Sequence, residues 1–455
     1  MNAESKLTFG IGWRLSLLWA LQWGITGALL TYLPIYFRDN GLSQEQLGKL
    51  MAVAATGLWG APFIVGQLCD RWMSAEKYLA LAHFTGGVLL LSIPVATEMF
   101  RATGTYFPAL MVLVGLFSFA YFPTIPLASA MTFRHLPDPS RDFGKVRIWG
   151  TFGWMFAGWA LSLWLGRTDA YRWVSENFPS VQPTLDQLSY TFRWLAPPSS
   201  ADCFTMAAIL SFALASFCVF LPATPPERKP RNKIAPLATL KMFTDKTFTQ
   251  LIVISFLLAL VIPFYAYAAP QLLDQLGYEK DWIPALMTLG QISEFPALIL
   301  LPFFLRRYGL KWTFAFGLMG WLLRYAFFVL EEPKWLILTS IALQGVCHVF
   351  LIIVIQLFID SRAAADQRIS AQNLFAFLTM GIAMPLGFLA GGKIGDRLTN
   401  ADTGEMNYQL FFLLPSVAIL ALFLAFYRYV NIEEPPAAET DTLHEQFSGD
   451  ASSPA

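Results

Sequence analysis

Apolar residues run along this chain in blocks too long for a water-soluble core to need. Read forward, they predict membrane-spanning helices near 11–37, 45–69, 77–97, 106–131, 146–166 and 203–222. A second set follows near 248–270, 282–304, 312–330, 335–359, 369–392 and 407–430. Each stretch approaches or exceeds the ~20 residues an α-helix needs to cross a bilayer. The expectation is an all-α integral membrane protein of twelve transmembrane helices in two six-helix bundles. The first bundle spans 1–222 and includes an extracytoplasmic insertion over 167–202 that carries Trp173, Phe178, Tyr190 and Trp194. Pro225, Pro226, Glu227, Arg228, Lys229, Pro230, Arg231, Asn232 and Lys233 cannot form a span, so 223–247 reads as a cytoplasmic linker. The second bundle spans 248–430, and 431–455 reads as a disordered cytoplasmic tail.

Composition agrees with lipid as the solvent. The chain is 56% hydrophobic and 14% charged, against roughly 25% charged in soluble domains. Thirty-one basic residues balance thirty-one acidic ones, so nothing draws the protein to nucleic acid. Position matters more than the total. Arg71, Lys77, Arg134, Arg141, Lys145, the linker cluster, Arg306, Arg307, Lys311, Arg362 and Arg368 fall in loops that alternate on one side. Basic loops stay in the cytoplasm, which predicts a multi-pass protein of the bacterial cytoplasmic (inner) membrane with both termini cytoplasmic. Lys6 and Arg14 precede an apolar run too long for a signal peptide, so the first span is expected to stay. Cys69, Cys203, Cys218 and Cys347 have no metal-ligand spacing and read as small buried hydrophobes.

The two halves repeat a feature. Gly66-Gln67-Leu68-Cys69-Asp70-Arg71-Trp72 follows the second span, and Leu301 to Lys311, with Arg306 and Arg307, stands at the matching place in the second half. Paired halves of this kind enclose a substrate cavity near mid-membrane. The first loop resembles the Gly-x-x-x-Asp-Arg signature of the major facilitator superfamily. Asp70 can accept from backbone donors at a neighbouring helix N-terminus while Arg71 pairs with an acid, which makes Gly66, Asp70, Arg71, Arg306 and Arg307 candidate latch residues.

Further stretches run through both halves in order: Phe119 to Thr124, Arg147-Ile148-Trp149-Gly150-Thr151, Gln291-Ile292-Ser293-Glu294, Arg307 to Lys311, Trp321-Leu322-Leu323-Arg324 and Ser370-Ala371-Gln372. They resemble the nucleoside:proton symporter family of that fold. The resemblance implies proton-coupled import of nucleosides or a similar small polar solute by alternating access, with no cofactor beyond the proton gradient. It also implies an important arginine at Arg147. The chain departs from the family pattern at Pro263, Ala266 and Val349, where the resemblance implies polar groups and, beside His348, an acid.

Polar residues inside the spans supply the candidate machinery. An acid halfway along a span is costly unless protonated, paired or facing water, so Glu294 is the first proton-coupling candidate. Arg147 and His348 are the others, Arg147 as a pairing partner and His348 as a relay near neutral pH. Gln22, Trp23, Tyr121, Thr124, Tyr265 and Gln291, together with Glu294, are candidates for holding a flat heterocycle by stacking and hydrogen bonds. Arg324 reads as a structural pairing residue on a peripheral helix. Each has a blander alternative as a packing, interfacial or hydrogen-bonded structural residue. Gly381, Gly387, Gly391 and Gly392 read as close-packing positions. No catalytic or metal-ligating set stands out, and no Walker-type run points to ATP. An exporter of drugs or metabolites and a transport-derived sensor without flux remain the alternatives. The expected partners are a small solute, protons and lipid, with the protein acting as a monomer.

Overall fold

A computed structural model of the chain describes residues 8–59, 69, 72–184, 187, 198–226, 240–363 and 368–432. Gly66, Asp70, Arg71, Tyr190, Trp194, the core of the linker and the tail from 433 lie outside the described residues. What is described is helical, with one isolated bridge between Thr399 and Met406.

Helix α1 runs Phe9–Leu30 and resumes as Leu33–Asp39, the break falling just before Pro34. Helix α2 begins as Gln44–Ala55 and tightens through Thr56–Trp59. Its start is set by a capping box: Ser43 Oγ accepts from Gln46 N at 3.2 Å, and Gln46 Oε1 accepts from Ser43 N at 2.8 Å. Then come α3 (Ala75–Thr103), α4 (Phe107–His135), α5 (Pro139–Leu165) and α6 (Asp202–Phe220). A short helix, Arg167–Asn177, lies between α5 and α6. The second half holds α7 (Lys246–Gln275), α8 and α9 within Lys280–Leu330, α10 (Lys334–Arg362), α11 (Ser370–Leu398) and α12 (Tyr408–Tyr429).

Eight of these stretches are long and apolar enough to cross a membrane, and Lys280–Leu330 is long enough to do so twice. It turns back at Gly309, whose φ of 70° and ψ of 179° suit only glycine. The reversal brings Phe304 within 5.4 Å of Phe316, ring to ring. A single residue therefore replaces the broader basic turn expected over 301–311, leaving Arg306 and Arg307 exposed beside it. Helix α5 also starts earlier than its apolar run, because Asp138 caps it and Lys145 pairs with Asp142 at 2.8 Å in its first turns.

The helices are amphipathic in reverse, as lipid demands. On α3 the stripe Leu81, Phe84, Val88, Leu91 and Val95 is exposed, while Leu79, Ala82, His83, Leu90 and Ile93 are buried. Within the first half α1 packs on α5 and α6, and α3 on α4 and α6; within the second, α8 and α9 pack on α10, and α9 on α12. Small residues let the backbones touch, so that a side chain at Gly27, Gly153 or Gly345 would collide with the carbonyl of Trp154, Ala20 or Ser293. Two stretches are π-helical, Val349–Ile353 in α10 and Phe377–Ala383 in α11.

Three seams join the halves. Helix α2 crosses α11 where Gly48 meets Gly392, close enough that a Cβ on Gly48 would sit 2.6 Å from the Gly392 Cα. Helix α5 meets α8 through the stacked pair Phe152 and Phe295 at 5.4 Å, and through Trp159 Nε1 donating to Thr288 Oγ1 at 2.8 Å. The end of α1 meets the end of α7.

Candidate transport site

The seam between α5 and α8 carries the principal charges. Arg147 is held by two aromatic faces: its Cζ lies 4.7 Å from the ring centroids of both Trp19 and Trp23. Such cation–π contacts are worth about 0.5–2 kcal/mol each, and they fix the guanidinium while using none of its N–H donors. Trp23 in turn leans on Trp154 at 6.1 Å. Opposite, on α8, Glu294 is half-buried, and among the described residues its carboxyl has no hydrogen-bond or ion-pair partner. The two cations whose field reaches it are Arg147 from the first half and Arg324 from the second. Neither forms an ion pair with it within 4.0 Å in this conformation. Gln291 shares the Glu294 face one turn earlier, and its buried Oε1 also lacks a donor. His348 on α10 has an exposed surface and lies within the field of Arg147 and Arg324.

Three of the expected substrate contacts sit elsewhere, in a closed network inside the first half. Gln22, Tyr121 and Thr124 are buried to 1% exposure or less. Gln22 Nε2 donates to Thr124 Oγ1 at 2.8 Å, Tyr121 OH donates to the Gln22 carbonyl at 2.5 Å, and Thr124 Oγ1 donates to the Tyr121 carbonyl at 2.5 Å. The centre of this network is His83 on α3, absent from the sequence reading. Its Nε2 meets Gln22 Oε1 at 3.0 Å; since an amide oxygen only accepts, Nε2 carries the hydrogen. Ser211 on α6 donates to the His83 carbonyl at 2.8 Å. Both polar ends of Gln22 are thus taken by other helices. His83 carries the same signal as His348, a histidine in mid-span.

The second half is arranged differently. Tyr265 on α7 lies under the Arg324 guanidinium, Cζ to ring centroid 3.4 Å, and its OH points to Met287 Sδ at 3.8 Å. Arg324 is not peripheral: it is 0% exposed. The partner found for it is Gln344 Oε1, which accepts from Nη1, and no carboxylate pairs with it among the described residues. Pro263 and Val349 are buried and apolar, and Ala266 is half-buried, so the departures noted in the sequence make this part of the wall greasy.

At one end of the bundle the halves are tied shut. Gln44 Nε2 donates to Gln271 Oε1 at 3.0 Å, and Tyr267 OH donates to the Gln44 carbonyl at 2.9 Å. Lys280 bridges Asp39 at 2.8 Å and Asp274 at 3.3 Å. Asp396 Oδ1 accepts from Glu45 N at the start of α2, at 3.4 Å, the favourable place for an anion. Asp396 belongs to Gly392-Lys393-Ile394-Gly395-Asp396-Arg397, a second Gly-x-x-x-Asp-Arg run. It closes α11, and the sequence pattern matches that of Gly66 to Arg71 although only the latter was expected to act as a latch. Farther along the same seam Trp59 Nε1 donates to the Gly381 carbonyl at 2.5 Å. Residue 385, which would donate to that carbonyl in an α-helix, is proline and has no N–H.

Known proteins match the chain along most of its length. The model of the nucleoside H+ symporter family matches residues 9–176 and 197–432. YegT of Escherichia coli, named as a candidate nucleoside transporter, is 30% identical over 435 residues, covering 91% of this chain and 93% of its own. The nucleoside permease NupG of Escherichia coli is 26% identical over 455 residues, covering 94% and 98%. The crystal structure of NupG superposes with a TM-score of 0.75 at 24% identity, covering 92% of this chain and 99% of that one, so the twelve-helix, two-bundle architecture is the major facilitator fold. The chain belongs to the nucleoside H+ symporter family.

Proposed function

We propose that this protein is a proton-coupled importer of nucleosides in a bacterial cytoplasmic membrane, working by alternating access. The observation that carries the reading is Glu294: a mid-span carboxyl with no hydrogen-bond or ion-pair partner among the described residues, within the field of a guanidinium of each half. An acid so placed is costly in hydrocarbon unless it holds a proton or faces a charge or water. It therefore exchanges a proton as the cavity opens to one side and then the other. Gln291 beside it has a free carbonyl oxygen for a nucleobase or ribose donor, and Trp23, Phe152 and Phe295 offer flat apolar surface for the ring. His348 serves as a relay on the same cavity. The gradient supplies the energy, and no covalent step or cofactor is needed.

The basic loops support a reading in which both termini, and Arg306 and Arg307, are cytoplasmic. The tied end is then extracytoplasmic, and this conformation exchanges solute with the cytoplasm. In our reading Asp396 latches the outer gate by capping α2, and Asp70, in the matching run at the end of the second span, latches the inner gate.

The test is uptake of labelled uridine and adenosine into proteoliposomes under an inward proton gradient, with a protonophore control and Glu294→Gln beside the wild type. Saturable uptake abolished by the protonophore and by the variant supports the proposal. A folded wild type that takes up neither nucleoside overturns it.

A further inference from the structure

Arg324 is the most completely buried charge in the described part of the second half, and the site as described so far gives it no task. Its surroundings are unusual for a cation. Its neighbours include Tyr265, Trp321, Tyr325 and Cys347, and the amide it donates to, Gln344, is neutral. Among the described residues its Nε and Nη2 are buried with no acceptor in hydrogen-bond geometry. Ser340 Oγ donates to its carbonyl at 2.8 Å, which fixes the backbone of α9 against α10. An arginine that is only structural is ordinarily matched by a carboxylate when buried.

The route from Arg324 to the transport site is short and continuous. Gln344, which Arg324 holds, packs on Gly290: a Cβ on that glycine would lie 3.0 Å from the Gln344 Cβ. The next residue, Gly345, donates its N–H to Ser293 Oγ at 2.9 Å. Gly290 and Ser293 bracket the single turn of α8 that carries Gln291 and begins Glu294. The charged and titratable groups facing this region are Glu294 from α8, Cys347 and His348 from α10, Tyr265 from α7, Tyr325 on α9 itself and Arg147 from α5. Of these only Glu294 is an acid.

We propose that Arg324 is a positioning residue of the transport site: through Gln344 it sets the α8 turn that presents Gln291 and Glu294, and its fixed charge is the second half's counter-charge to Glu294. This rests on the transport reading for its effect on uptake, but its physical core, coupling between Arg324 and Glu294, does not. The guanidinium holds Gln344 by direction and Glu294 by field, so the two roles separate in the variants. Arg324→Lys keeps the charge and loses the fork; Arg324→Gln loses both.

The experiment has two arms on the full-length purified protein. In the first, thermal unfolding is followed for wild type, Glu294→Gln, Arg324→Gln and the double variant, with Arg324→Gln/Lys280→Ala as a distant control. Coupling is expected: the double variant melts no lower than Arg324→Gln alone, because removing both charges leaves neither unmatched, whereas the control pair adds. Additive losses in the Glu294 pair overturn the proposal, and this arm needs no substrate. In the second arm nucleoside counterflow is measured for Arg324→Lys and Gln344→Leu. Both are expected to raise the half-saturating nucleoside concentration at least fivefold with a maximal exchange rate within threefold of wild type. Wild-type values for both variants overturn the positioning role. If wild type itself shows no counterflow, the transport reading has failed and the melting arm alone decides. Should Arg324→Gln not fold, Arg324→Met takes its place in the same cycle with Glu294→Gln, and non-additive losses are again expected because the charge is removed.

Discussion

The polar interiors of the two halves are built on opposite plans. In the first half Gln22, His83, Tyr121, Thr124 and Ser211 close on one another, and both ends of Gln22 are taken. In the second half Glu294, Gln291 and Arg324 each keep a polar group without a hydrogen-bond partner among the described residues, and two helices carry π-helical turns. Satisfied networks rigidify; π-helical turns gather at working sites. The contrast teaches that the Gln22 cluster is a frame and the Glu294 cluster a place where partners are exchanged, with Arg147, clamped between Trp19 and Trp23, as the first-half cation whose field reaches Glu294.

The sharpest break of this contrast is at Glu294. Glu294→Gln is expected to reduce proton-driven accumulation to the level of empty vesicles while leaving nucleoside exchange across the membrane measurable, since a neutral amide still fills the site. Exchange and accumulation falling together would mean that Glu294 holds the solute and not the proton.

Next in size is the frame. Gln22→Leu leaves the His83 Nε2–H buried without an acceptor, at a cost of about 1–3 kcal/mol. A clear fall in the unfolding midpoint is expected, with uptake per folded molecule within about twofold of wild type if the network only holds the frame. A large rise in the half-saturating concentration at unchanged stability would return Gln22 to the substrate site.

The spans and the two-half plan were legible because lipid imposes one rule on every segment: long, apolar and helical. Charged residues in those spans were legible one at a time for the same reason, which is how Glu294, Arg147 and His348 stand out in the sequence. What could not be read is which polar residues satisfy one another. Gln22 meets His83 across sixty-one positions and His83 meets Ser211 across one hundred and twenty-eight, and no local pattern encodes those meetings. That Arg324 turns into the protein from α9 was hidden likewise, because helix rotation about α9 is set by packing on α10 and α12. Gly309 was hidden in a turn where basic residues drew attention, and only its backbone angle reveals that it alone reverses the chain.

The seam between α2 and α11 sharpens the comparison from outside. A Cβ on Gly392 would sit 2.8 Å from the Gly48 Cα and 3.0 Å from the Gln44 carbonyl, and these are backbone atoms that cannot turn aside. Gly392→Val is expected to keep the tied end from closing. Spin labels on cysteines placed at Thr105 and Glu279, exposed residues of the two halves at that end, will report a longer distance. The four native cysteines are buried, so the labels stay specific. An unchanged distance would show that the seam yields elsewhere and that the close approach is incidental.

The smallest effect belongs to Lys280. Its bridge to Asp39 is an ion pair between the halves at the tied end, but both side chains are more than a third exposed, at 40% and 36%. Exposed pairs are worth about 0–1 kcal/mol, so Lys280→Ala shifts the closed-to-open ratio by at most about fivefold. The same two labels will detect it as a minor long-distance population. Because the pair is screened over about 8 Å at physiological salt, raising salt on the wild type should produce part of the same shift, while leaving the Gly392→Val distance unchanged. Steric closure and ionic closure then separate by their salt response. A Lys280→Ala effect as large as that of Gly392→Val, or one indifferent to salt, would mean that the charge, and not the packing of glycine on glycine, is what holds the outer gate.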